Sequence, residues 1–113
     1  MDGINFPFAL ATTETLAPLA TGAAALTVDD NMTICDLGEL GAATTLTITA
    51  SAELRTGAIL HVKALSDGTA RTLTFAGDIT AVAMTGVISK TKVHSFVFDG
   101  SKFLPLGAAV QID

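Results

Sequence analysis

The chain of 113 residues is half apolar and carries 6 basic and 11 acidic side chains, a net charge of −5. This length suits one domain, and a charged content of 15% within so apolar a chain excludes intrinsic disorder. The acidic balance, without a cluster of Lys or Arg, argues against binding to nucleic acid.

Neither an export signal nor a membrane span is predicted. The first ten residues lack a basic region and carry Asp2 near the start. The most apolar stretches, 16–28 and 76–88, are interrupted by Thr, Gly or Asp and fall short of the roughly 18 apolar residues that a membrane helix needs. The single cysteine, Cys35, cannot form an internal disulfide. We therefore expect a protein that is made in a cytoplasm and does not enter a bilayer.

Residues 1–22 are predicted to form an N-terminal arm outside the core. Pro7 and Pro18 interrupt both strands and helices, and no clean alternation is present. The segment TTETLAPLA, residues 12–20, can form one helical turn that Pro18 limits. A frayed terminus is the simpler alternative to an ordered arm.

Three bulky side chains give the arm a possible anchoring role. In an extended chain Ile4, Phe6 and Phe8 point the same way, because side chains alternate along a strand. No local partner is available to bury them, so we expect another surface to do so.

From residue 23 onward the pattern is that of β-structure. In ATTLTITA, residues 43–50, Leu46 and Ile48 face one way and threonines face the other, as in a half-buried strand. About eight short strands are predicted in all, and no helix. The segments with strand character are 24–28, 32–35, 43–50, 57–65, 70–77, the weak 78–84, 85–90, 92–99 and 102–107.

Turn signals separate these segments at close spacing. SDGT, residues 66–69, and Asp99-Gly100 each predict a β-hairpin. Pro105 confines the last strand to a sheet edge, or takes its final ladder position. This pattern predicts an all-β fold, an antiparallel β-sandwich of the jelly-roll type, over residues 23–113.

Apolar side chains on both faces of strands 57–65 and 92–99 predict a homo-oligomer. One face of an antiparallel sandwich is expected to be polar unless something covers it, and a symmetric copy is the simplest cover. The predicted interface consists of Ile59, His61, His94, Phe96 and Phe98.

No catalytic, metal or cofactor site is predicted. His61 and His94 lie within strands without neighbouring ligands, and Cys35 is expected to be a small buried hydrophobe. The acidic turns at 29–31 and at Asp36/Glu39 lack the order of a calcium loop, although a weak cation site between loops stays open. No glycine-rich phosphate loop occurs. We therefore expect neither enzymatic activity nor a cofactor.

The ordered strand and turn motifs resemble small β-domains of tailed-bacteriophage structural proteins. Their pattern is a Gly-x-x-Leu strand, a D-G turn, an R-T-L-T-F strand and a final V-x-x-F-x-F-D-G hairpin. The likeness covers roughly residues 24–107, including the upstream TTLTITASAEL. The matching residues are Gly57, Leu60, Asp67, Gly68, residues 71–75, Val93, Phe96, Phe98, Asp99, Gly100 and Phe103.

The resemblance implies a virion structural protein that forms a homotrimer on the capsid exterior. A head fibre or decoration protein fits a short arm followed by one β-domain. The arm residues that would seat on the major capsid protein or other virion proteins are Ile4, Phe6, Phe8 and Leu10.

The alternative is a tail-fibre or baseplate tip that binds a host surface glycan. The family often carries Tyr and Trp around its last turn, where this chain has Phe98 and Phe103. The chain contains no Trp and no Tyr, the residues that sugar-binding loops normally display. This difference favours the decoration role.

Overall fold

The computed structural model describes Ala11–Thr15 and residues 22–113. This part of the chain is all-β, as predicted, and contains ten strands. The strands are β1 (Ala11–Thr15), β2 (Ala23–Val28), β3 (Met32–Leu40), β4 (Thr44–Ala50), β5 (Ile59–Ser66), β6 (Thr72–Gly77), β7 (Met84–Thr85), β8 (Thr91–Phe98), β9 (Phe103–Pro105) and β10 (Val110–Gln111).

The strands form two mixed sheets. Sheet A has the order β1-β3-β5-β8-β10, with β9 also paired to β8, and sheet B has the order β2-β4-β6-β7. The first six strands alternate between the sheets along the chain. Each of the first five strands is therefore followed by one in the opposite sheet.

This alternation makes the neighbouring strands parallel. In sheet A, Ala11, Met32 and Ile59 occupy one rung, and β1, β3 and β5 all run the same way. In sheet B, Ala23 and Thr45 share a rung, and β2, β4 and β6 are parallel too. The chain thus winds as a coil, with one strand of each turn in each sheet.

The predicted antiparallel jelly-roll arrangement is wrong for these six strands. The SDGT turn does not close a hairpin, because β5 lies in sheet A and β6 lies in sheet B. Asp67 still forms a local turn by accepting a hydrogen bond from the Thr69 amide at 3.0 Å. Such turn chemistry fixes the local reversal of the chain but does not determine which sheet receives the next strand.

The last strands of sheet A are antiparallel, as predicted. The Asp99-Gly100 turn joins β8 to β9, with Phe98 opposite Phe103. Pro105 is the last residue of β9, which is the final ladder position allowed for it by the sequence. On its other side β9 meets Ile79 through a bridge at Phe103. The predicted hairpin is confirmed.

The predicted arm includes a strand of sheet A. Ala11–Thr15 pairs in parallel with residues 32–36 of β3. Ala11–Thr15 is extended, so these residues do not adopt the helical turn considered for 12–20, and residues 16–20 lie outside the described part of the chain. Backbone hydrogen bonding to β3 is the physical reason, since a parallel ladder satisfies the polar groups of both strands.

The core lies between the two sheets and receives alternate side chains from each. In β5 every second residue is buried, and Leu60 and Val62 are fully enclosed. Phe75 of sheet B meets Phe96 of sheet A edge-to-face, with ring centroids 5.2 Å apart. The two sheets are therefore joined by direct aromatic contact as well as by aliphatic packing.

A tight junction ties the end of β6 to β4. Gly77 has a φ of 88°, and a Cβ at this position would collide with the carbonyl oxygen of Ile48. The next residue, Asp78, donates its backbone N–H to the same Ile48 carbonyl at 2.8 Å. Its carboxylate accepts the Ala50 amide at 2.9 Å. Glycine is required here because the backbones approach too closely for a side chain.

Replacing Gly77 with Ala is expected to destabilise the protein by more than about 2 kcal/mol, because it combines a left-handed backbone with a collision. Gly38→Ala is the matched control, since Gly38 has a φ of 63° and open space around it. The control should lose only about 1–2 kcal/mol, the cost of the backbone conformation alone. Urea unfolding measures both changes in stability. Equal losses in the two variants would contradict the close contact between Gly77 and the Ile48 carbonyl.

Candidate interaction surface

The outward faces of the two sheets differ in chemistry. The outer face of sheet B is made of small or hydroxylated side chains, most of them exposed. Threonine suits this position because its branched Cβ favours a strand while its hydroxyl faces water. The residues of this face are Ala23, Ala25, Thr27, Thr45, Thr47, Thr49, Thr74 and Ala76.

The outer face of sheet A is mainly apolar. Along β3, β5 and β8 the residues between the buried ones remain half-buried or exposed, so they point away from the core. Two acidic and two basic-type side chains interrupt the apolar surface. The residues of this outer face are Met32, Ile34, Asp36, Glu39, Ile59, His61, Lys63, Leu65, Val93, Ser95, Val97, Leu104 and Val110.

The strand register arranges these side chains in rows across sheet A. Met32, Ile59 and Val97 form one row. In the next row, a hydrogen bond of 2.7 Å joins the Nδ1 atom of His61 to the Oγ atom of Ser95. These two polar side chains therefore satisfy each other's hydrogen bonding, and the rest of the face is available for apolar contacts.

A groove of about 430 Å³ runs along one side of this face. Its floor includes His61 and Val93, and its wall is the C-terminal segment. In that wall Leu106, Val110 and Ile112 keep 56%, 58% and 56% of their surface exposed. Large exposed apolar side chains around a concave surface are typical of a contact site for another molecule.

The structure divides the predicted interface residues between two faces. Ile59 and His61 lie on the outer face of sheet A and are half-buried. His94, Phe96 and Phe98 are 4%, 0% and 4% exposed and lie in the core of the same chain. These three side chains are already covered, so the prediction that they contact a second copy is corrected.

The predicted interface used the inward face of β8. Both faces of this strand are apolar, and the row that faces outward consists of Val93, Ser95 and Val97. The signal that distinguishes them is size, because large aromatic side chains fill a core more effectively than valine and serine do. The groove wall at 106–112 was missed because its residues show no regular alternation.

The predicted capsid-anchoring residues Ile4, Phe6, Phe8 and Leu10 lie outside the described residues. The acidic turns do not converge: among the residues that the structure describes, no group of three or more His, Cys, Asp or Glu side chains is placed to hold a metal ion. Cys35 is fully buried, as predicted, in register with Val62. Within the same residues, no helix is long and apolar enough to cross a membrane.

A second cavity, of about 640 Å³, lies between residues 80–85 and the segment 105–109. We call it the rim cavity. His94 of β8 lies in its wall and donates from Nε2 to the carbonyl oxygen of Gly107 at 2.9 Å. The Nδ1 atom of this ring is buried and has no hydrogen-bond partner among the residues that the structure describes. Its neighbours are Phe75 and Phe96, whose ring centroids lie 5.8 and 4.4 Å from that of the imidazole.

Two charged turns are stabilised by local hydrogen bonds. Arg71 donates to Asp67 at 2.9 and 3.0 Å, and this interaction lowers the pKa of the Asp67 carboxyl and raises the pKa of the guanidinium. In the β8–β9 turn, the backbone amides of Lys102 and Ser101 each donate to Asp99 at 2.8 Å and lower its pKa. Both carboxylates are therefore held ionised where the chain reverses direction.

Comparison of the chain with family models, with curated proteins and with solved structures found no match. The account of its function therefore rests on the chain's own residues.

The two faces of β8 can be separated by a matched pair of substitutions. Phe96→Ala should destabilise the protein by about 3–5 kcal/mol, because it leaves a cavity between the sheets. Val97→Thr, on the neighbouring outward position, should cost less than Phe96→Ala, because it leaves no cavity between the sheets. Urea unfolding at one protein concentration measures both values. A Phe96→Ala protein as stable as the wild type would contradict the assignment of this side chain to the core.

The lowered pKa of Asp99 predicts how the contribution of its carboxylate to the stability of the fold depends on pH. A carboxyl group whose folded pKa is depressed stabilises the fold above its unfolded pKa of about 4, and this contribution is lost as the pH falls through the folded value. The wild type should therefore exceed Asp99→Ser in unfolding midpoint at pH 7, and the gap should narrow towards pH 2. Serine keeps a hydrogen-bond acceptor without the charge. A gap that stays constant between these pH values would contradict the assignment.

Proposed function

We propose that this chain is a structural protein of a bacteriophage virion, a capsid-attached head fibre or decoration protein that forms a homotrimer. The observation that carries the proposal is the apolar outer face of sheet A. The likeness of its strand and turn motifs to tailed-phage β-domains supports the same role. In this proposal the chain acts through its surfaces and has no catalytic role or cofactor.

The side chains of the fold favour contact of another molecule with the outer face of sheet A. Parallel strands occur mostly in sheets that are covered on both faces, because their side chains are apolar on both sides. Sheet B departs from this rule with its threonines, whereas Ile34, Ile59 and Val97 leave sheet A apolar on the outside. Copies of the same chain are the economical cover, since closed symmetry is the usual solution for soluble proteins.

Electrostatics does not prevent contact at this face. The chain carries a net charge of −5, which opposes the approach of identical copies. On the outer face of sheet A, Asp36 lies beside Lys63 in register, and Glu39 and His61 are the other ionisable side chains. Most of the acidic residues of the chain therefore lie elsewhere.

The arm completes the proposal. Ile4, Phe6, Phe8 and Leu10 would seat on the major capsid protein, outside the particle. Three identical arms in a trimer bind with avidity, so that no single contact needs to be strong. A glycan-binding tip is the weaker alternative, because all four phenylalanines within residues 22–113 are buried and none is available to stack on a sugar.

The test uses light scattering and capsid binding together. The purified protein should have three times the mass of one 11.5 kDa chain at micromolar concentration and should bind capsids of the virus that encodes it. The double variant Phe6→Ser/Phe8→Ser should remain trimeric and lose capsid binding, because only the arm is changed. Thr47→Ser, on the outer face of sheet B, is the control that should keep both properties. A monomer, or capsid binding by the arm variant at wild-type strength, would contradict the proposal.

A further inference from the structure

The rim cavity has the properties of a small-molecule site. Its volume of about 640 Å³ falls within the range of roughly 300–1,000 Å³ that is usual for ligand pockets. The lining is predominantly Ala, Val, Met and Pro, and its polar members are Thr80, Thr85, Lys92 and His94. The apolar part of a ligand would therefore contact most of the wall.

The charge of this wall is positive, although the chain is acidic overall. Lys92 is half-buried and lines the cavity, and no aspartate or glutamate is among the lining residues. Within residues 22–113, Lys92 forms no ion pair with a carboxylate. A half-buried ammonium beside apolar surface is best satisfied by an anion that arrives with the ligand.

The inner wall is fixed in place. The Nε2 atom of His94 donates to the carbonyl oxygen of Gly107, and this bond ties the segment 105–109 to β8. The Leu106 amide adds a second tie, donating to the Ser95 carbonyl oxygen at 2.9 Å. This side of the cavity is therefore held by two hydrogen bonds, so binding requires little ordering of it.

From these features we infer that the rim cavity binds an amphiphilic carboxylate, an alkyl chain with one acid group, whose carboxylate pairs with the ammonium of Lys92. The alkyl chain lies against Val82, Met84 and Ala109. This site lies off the outer face of sheet A and shares only Gly107 and Ala108 with the groove beside that face. The inference does not use the proposed homotrimer.

Binding of decanoate to the intact chain, measured by calorimetry, tests the inference with decanol as the neutral probe. Decanoate should bind more tightly than decanol, because decanol lacks the charge that Lys92 pairs with. Lys92→Met should weaken decanoate binding by about tenfold, equivalent to about 1.4 kcal/mol, and leave decanol within about twofold. Lys92→Arg should retain decanoate binding, and Lys63→Met, on the outer face of sheet A, should bind like the wild type.

A variant that fills the cavity gives an independent check. Ala83→Phe, at a position that lines the rim cavity and not the groove, should abolish binding of both probes, and an unchanged urea midpoint shows that the protein still folds. Three results would overturn the inference: no decanoate binding at millimolar concentration, equal affinity for decanoate and decanol, or full decanoate affinity in Lys92→Met. Any of them would leave the proposed virion role untouched, because that role rests on another surface.

Discussion

The fold depends on the alternation of consecutive strands between two facing sheets. Each strand points one row of side chains towards the opposite sheet. The next strand of the chain lies in that sheet and contributes side chains to the same core. Leu46 and Ile48 of sheet B and Leu60 and Val62 of sheet A are almost completely enclosed by this arrangement. The coil thus builds one core from short strands without a helix, and parallel pairing follows from the winding.

The same winding determines what the outside can do. Because side chains alternate, each sheet must present a second row to its surroundings. Sheet B presents threonine and alanine, which water tolerates, whereas sheet A presents isoleucine and valine around the His61–Ser95 pair. The chain therefore has one face suited to solvent and one face suited to contact. The antiparallel strands β8, β9 and β10 end the coil, and residues of β8 lie in the walls of both the groove and the rim cavity.

Local features of the fold were accessible from the sequence. The Thr-x-Thr alternation marked β4, and the D-G turn marked the β8–β9 hairpin. Strand β3 was predicted to end at Cys35, but it continues to Leu40. The register shift between Asp36 and Glu39, with Gly38 at a φ of 63°, lets the strand pass a sequence that is typical of a turn.

Sheet membership and strand direction could not be predicted, because they depend on non-local pairing. Met32 pairs with Ala11 on one side and with Ile59 on the other, and the unequal spacing of these residues hides the coil from a search for repeats. The outer face of sheet A was only partly predicted, for a related reason. Period-2 alternation shows that Phe96 and Val97 face opposite ways, but only the packing of the opposite sheet shows which of them is inside.

The central claim is that copies of the chain cover the outer face of sheet A, and the dependence of thermal unfolding on protein concentration tests it most directly. Association of folded chains stabilises them by mass action, so the unfolding midpoint must depend on concentration. The account predicts that the midpoint rises steadily over about a hundredfold increase in concentration. An identical midpoint across that range, from a protein with the mass of a single chain, would contradict it.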